Sequence, residues 1–208
     1  DTFRDAIRGD NSPSKGFING DQYNPFKAWA VIEGLKGSIY TLTNNSDESI
    51  NYIEAHDNYC LWDQIEKSQN PSIQFSSFRK NIPIKPLENY NVRQDLLGTS
   101  LLLTAQGIPF FQSGAEFLRT KHGDHNSYKS DDSINCIDWA DKAAYLNIFN
   151  YYKGLIEIRK SIDLFKMCNS EQIKKNMSIY FPHNNDSSGV IISHIKSDDN
   201  KEEVILVY

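Results

Sequence analysis

The stretch LLGTSLLLTAQGIPFF, residues 96–111, runs from an amphipathic pattern through Gly107 into a short apolar run with no spacer. Val92, Leu96, Leu97, Leu101 and Ala105 recur at helical spacing, which predicts a helix over 89–106. Gly107 stands where a C′ residue belongs, with Pro109 just beyond it. IPFF (108–111) then reads as a short buried strand, and a long polar loop, 112–135, follows it. A similar order occurs earlier. FKAWAVIEGLK (26–36) brings Phe26, Trp29, Ala30 and Ile32-Glu33 near helical spacing, with Gly37 as the stop. After the polar TLTNNSDES comes the apolar run INYIEA (50–55), which ends in His56-Asp57-Asn58. A third helix is predicted over 142–160 from Tyr145, Ile148, Phe149, Tyr152, Leu155 and Ile156, with Asp141 as its cap. Short strands alternating with longer helices predict a parallel sheet with helical crossovers. Tight helix-to-strand joints and long polar loops after the strands are what a (β/α) barrel shows.

The flanks differ. Residues 1–24 have loop composition. From about 170 the chain becomes β-rich, with MSIYFP, GVIISHIK and EEVILVY separated by turn residues, so a separate antiparallel unit is expected there. The chain opens on Asp1 and closes in what reads as mid-strand, so a longer protein is expected around it.

With 39% hydrophobic and 12% aromatic residues the chain can pack a core. A net charge of -5 without a long basic run argues against nucleic acid as a partner. No apolar stretch is long enough to span a membrane, and no signal peptide is visible, which leaves localisation open. Cys60, Cys136 and Cys168 are far apart and odd in number; they read as three plain buried thiols, not a disulfide or zinc framework.

The chemistry gathers at His56-Asp57. On a regular strand Glu54 and His56 share one face and Asp57 takes the other. For both His56 and Asp57 to enter one site, the strand must end or bend there, as it does at the C-terminal end of a barrel strand.

INYIEAHDNYCLWDQI resembles the strand-seven motif of α-amylase-type glycoside hydrolases, in the form found in type I pullulanases. LTAQGIPFFQSGAEFLRTKHGDHNSYKSDDSINCIDW resembles their strand-eight region, and FRDAIRGDNSPSKGFING the segment before helix six. The resemblance implies an α/β fold: the C-terminal portion of a (β/α)8 TIM barrel over residues 1–165, then the first strands of an antiparallel β-sandwich domain over 166–208. It implies a debranching hydrolase of α-1,6-glucosidic linkages in pullulan, glycogen or starch dextrins. Such retaining enzymes use two carboxyl groups about 5–5.5 Å apart. The nucleophilic Asp and the acid/base Glu would lie upstream of residue 1. Asp57 would be the third carboxylate, holding sugar hydroxyls in the transition state, with His56 gripping the same hydroxyls. Asn58 and, from the strand-eight loop, Asp124, Asn126 and Tyr128 would be substrate-binding. The expected partners are an α-glucan and the missing N-terminal part of the same protein; no cofactor and no metal is expected.

Plainer readings stand beside these. His56-Asp57 reads equally as a structural pair when the flanking match is set aside. Glu116 and Arg119 read as a salt bridge bracing the loop. His122 and His125 read as solvated polar residues, and Trp62 and Trp139 as core or loop anchors as readily as sugar platforms. At the level of function, the alternatives are a non-catalytic carbohydrate-binding or scaffold fragment, or an isoamylase- or α-amylase-like relative.

Overall fold

The computed structural model describes residues 2–11, 13–74, 85–181 and 189–208. Two short strands, β1 (Ile50–Tyr52) and β2 (Ile108–Phe110), pair in parallel with Ile50 opposite Ile108. The chain between them carries helices α3 (Leu61–Gln69) and α4 (Tyr90–Thr104). Before β1 lie α1 (Thr2–Arg8) and α2 (Pro25–Leu35); after β2 come α5 (Asp132–Asn135), α6 (Ala140–Ala144), α7 (Leu146–Ser161) and α8 (Ser170–Asn176). The chain closes in an antiparallel sheet, β3 (Met177–Tyr180), β4 (Ile192–Lys196) and β5 (Glu203–Val207), in the order β3-β4-β5.

Local chemistry accounts for the helix ends. The Asn24 side chain accepts the amides of Phe26 and Lys27, with Pro25 at the first helical position. At the other end of α2, Gly37 takes φ 73°, its amide bonds Gly34 O, and the Ser38 amide bonds Glu33 O at 2.8 Å. This is a Schellman closure on the glycine named by the sequence. Asn89 caps α4 through the Val92 amide.

Several expectations are corrected. Residues 1–24 are not all loop: α1 buries Phe3, Ile7 and Arg8. α4 ends at Thr104, so Gly107 lies beyond the C′ position, although it still adopts φ 91°. The chain leaves the helix early because Gln106 is fully buried and used on all sides. Its amide bonds Leu35 O, its carbonyl receives Asn51 Nδ2, and its side chain bonds Leu164 O at 2.7 Å and the Met167 amide at 3.0 Å. Strand β1 ends at Tyr52, short of Ala55. The helix expected over 142–160 breaks at Tyr145; Asp141 lies inside α6, and Asp138 accepts the Ala140 amide instead. β2 is not a buried strand, since Ile108 and Phe110 are about half exposed and β1 is its one neighbour among the described residues. Phe26 and Trp29 face outward; α2 buries Ala28, Val31 and Leu35. Only Cys60 is buried; Cys136 and Cys168 are exposed.

Two apolar clusters organise the molecule. The larger joins Ile7, Val31, Leu35, Ile53 and Leu101 to Phe165, Ile173 and Ile195, so the antiparallel sheet shares a core with the helices. The smaller contains Trp62, Val92, Leu96, Leu118, Ile148 and Tyr152. It fastens the chain after β2 onto α3, α4 and α7. At its Tyr152 edge the hydroxyl donates to Asp95 at 3.0 Å and accepts from Thr99 at 2.7 Å.

Gln106→Leu keeps the volume but orphans Leu164 O and the Met167 amide. The expected loss is about 2–6 kcal/mol of unfolding free energy, one to three for each of the two unsatisfied buried groups. Urea titration of the complete protein checks it; an unchanged midpoint would show that this joint is not a structural pivot.

Candidate functional site

Beyond β1 the chain turns sharply. His56 and Asp57 project into solvent, with side chains 84% and 75% exposed and His56 Nε2 3.5 Å from Asp57 Oδ1. Asn58 follows with φ 65°, and its Oδ1 accepts Asn11 Nδ2 at 2.8 Å. The strand therefore ends before the triplet, as two adjacent site residues require. Glu54 and His56 do not share an environment, because the strand has already stopped: Glu54 is buried and His56 is not.

The loop after β2 meets this turn. Lys121 is 1% exposed, and its ammonium donates to the carbonyls of His56 (3.0 Å) and Asn58 (2.7 Å). The His125 ring lies 5.5 Å from that of Tyr59. In the opposite direction, the fully buried Asp63 of α3 accepts the amides of Lys121 (2.8 Å) and Gly123 (3.1 Å) and the hydroxyl of Thr120. Each loop thus binds the other through a buried charged side chain. Asp124 accepts Ser130 Oγ at 2.7 Å and the Asn126 amide at 2.8 Å; these bonds, that of Ser130 foremost, hold its carboxyl below the usual range. Asn126 and Tyr128 extend from the same loop and are exposed, with Lys129 over the Tyr128 ring.

The structure thus brings His56, Asp57 and Asn58 together with the loop bearing Asp124, and leaves Asn126 and Tyr128 at its outer edge. The residues that join them, Lys121, Asp63, Thr120 and Arg8, were not site candidates. The expected Glu116–Arg119 bridge is replaced by backbone contacts. Arg119 donates to Ser113 O and Asn135 O, and Glu116 accepts the Gly114 amide. Arg119 still braces the loop, by a different route. Trp62 is core, while Trp139 is exposed and tilts against Phe117.

Beneath the turn lie buried ionisable groups. Glu54 accepts the Leu61 amide at 2.7 Å, and burial raises its carboxyl to about 7. Arg8 donates to Tyr59 O at 2.9 Å; burial, and then Arg4, lower it to about 10. Burial also raises Asp63, against the pull of its three hydrogen bonds.

No family model matches the chain. The pullulanase of Bacillus subtilis (strain 168) is 33% identical over 184 residues, which cover 85% of this chain and 23% of that protein. The pullulanase structure from Bacillus acidopullulyticus superposes with a TM-score of 0.82 at 30% identity, covering all of this chain and 24% of its own. A pullulanase from Anoxybacillus sp. LM18-11, solved with maltotriose, gives 0.80 at 31% identity, covering all of this chain and 27% of its own. The matches fall in one class, the pullulanases and glycogen debranching enzymes. Within it the chain belongs with the pullulanases, as a segment spanning about a quarter of the length of the relatives it matches.

The buried Glu54 has a definite consequence for stability. Its folded value near 7 exceeds its ordinary 4.5, so the folded state keeps a proton that the unfolded chain releases. Stability from this group is complete below about pH 4.5 and is lost as pH rises through about 7. Glu54→Gln, which can still accept the Leu61 amide, should gain on the wild type across that window by on the order of 3 kcal/mol. Unfolding free energies of both proteins at pH 4.5 and 7.5 measure it; a constant difference would show that Glu54 is not buried as a neutral acid.

Proposed function

We propose that this chain is the C-terminal part of the catalytic barrel of a pullulanase-type enzyme, residues 1–165, followed by the opening strands of a β-sandwich domain, residues 166–208. The complete protein would cleave α-1,6-glucosidic linkages in pullulan, glycogen or starch dextrins with retention. The nucleophilic Asp and the acid/base Glu are assigned to the part of the protein upstream of residue 1.

The observation that carries this reading is the presentation of Asp57. A carboxylate 75% exposed sits on a turn whose neighbours are locked from below by buried charges, so the turn has little freedom while the carboxylate is open to a ligand. Such a group can accept hydrogen bonds from sugar hydroxyls, and these strengthen as positive charge develops at the anomeric carbon. His56, on the adjacent residue, can hold a neighbouring hydroxyl. Asn58, Asp124, Asn126 and Tyr128 are proposed to line the positions beside it. The relative solved with maltotriose supports a malto-oligosaccharide as the ligand class.

In the complete protein, Asp57→Asn keeps the shape and one acceptor oxygen but removes the charge. The expected result is a fall in kcat of about 100- to 1000-fold, with KM changed far less. Because the side chain is exposed, Tm should stay near that of the wild type. A variant that melts early yet keeps its kcat when folded would leave His56-Asp57 as a structural pair. The 208-residue chain by itself is expected to release no reducing sugar from pullulan; release above a blank would place the covalent chemistry within it.

A further inference from the structure

We infer that Lys121 is a positioning residue that sets the conformation of the turn presenting Asp57. The inference rests on the proposed function for its catalytic consequence, and on geometry alone for its structural one.

Among the described residues the turn has no main-chain support outside the regular elements: no backbone-to-backbone hydrogen bond there involves residues 55–59. Its carbonyls are held instead by side chains from elsewhere in the fold. Gln112, with its amide oriented to accept from Arg119, donates to Ala55 O at 3.1 Å. Lys121 donates to His56 O and Asn58 O, and Arg8 donates to Tyr59 O. Lys121 therefore holds the two carbonyls that bracket Asp57. It also opposes a conformational cost, because Asn58 is held at φ 65°. Asparagine enters that region more readily than other residues with a side chain, and the Lys121 bond to its carbonyl fixes it there.

The chemistry fits lysine. An ammonium is compact, with three donors that can rotate toward two diverging carbonyls, whereas a guanidinium offers its donors in a fixed plane. Lys121 is itself immobilised, since its amide is bonded to Asp63 and its side chain is 1% exposed. A buried charge in this position is stabilised by the carbonyl dipoles of the turn, and the turn is shaped by the charge.

The test compares three variants of the complete protein: Lys121→Met, Lys121→Arg and Gln106→Leu. Gln106 holds Leu164 and Met167 and makes no bond to the turn or to the Lys121 loop, so its loss reports stability without the joint. Lys121→Met is expected to lower kcat by about 10- to 100-fold, the scale of a displacement near 1 Å at a reacting centre, with a smaller change in KM. Gln106→Leu is expected to lower Tm while keeping kcat of the folded enzyme within about twofold of wild type. Lys121→Arg keeps the charge for folding and is expected to lose kcat as Met does, which retains the test if the methionine variant does not fold. Crystal structures of the wild type and a folded Lys121 variant provide a readout independent of activity: residues 56–58 should shift. If the wild type has no activity on α-glucans, the proposed function fails while the structures still decide the positioning claim. A turn that superposes without Lys121, or equal kcat losses in Gln106→Leu and Lys121→Met, would overturn it.

Discussion

The site depends on a reciprocal exchange between two buried charges. Asp63, on α3, binds the main chain of the loop after β2; Lys121, in that loop, binds the main chain of the turn after β1. Neither charge reaches solvent, so each is stabilised by the polar groups it binds. Removing either side chain leaves the buried main-chain groups it binds without a partner, at a cost of about 1–3 kcal/mol for each. The two loops therefore hold their geometry together. The apolar cluster of Trp62, Leu118 and Tyr152 sets the distance across which the exchange works.

This accounts for the form of the sequence motifs. In HDNYCLWD, the aspartate that ends the motif does not serve the substrate side. It lies in the first turn of α3 and captures the TKHG segment, so LWD and TKHG are two halves of one joint. Trp62 is core because it must seat the residue beside it. The joint leaves the side chains of His56 and Asp57, the residues proposed to face a ligand, open to solvent.

What was legible in the sequence was what local pattern encodes. The Gly37 stop, the apolar face of α4 and the parallel order of β1 and β2 follow from spacing and turn chemistry, and the end of the strand before the triplet follows from the period of two, although β1 stops three residues earlier than the apolar run suggests. The joint was not legible, because its partners lie 57 to 65 residues apart. In sequence Lys121 is an ordinary lysine in a polar loop. Arg8 stands in a stretch of loop composition, yet it is fully buried beneath the turn. Phe26 and Trp29 misled in the other direction: large apolar residues at helical spacing read as core, but α2 turns its small residues and Leu35 inward. Burial of charge and exposure of aromatic surface are set by tertiary partners, and spacing carries no record of them.

The central claim, that this joint presents Asp57 to a sugar, is tested most directly by a crystal structure of the complete protein with maltotriose. The Asp57 carboxylate is expected within about 3.2 Å of a sugar hydroxyl, with His56 and the Asp124 loop against the same ligand and the Lys121 bonds to His56 and Asn58 intact. A maltotriose seated elsewhere, with Asp57 facing only solvent, would contradict it.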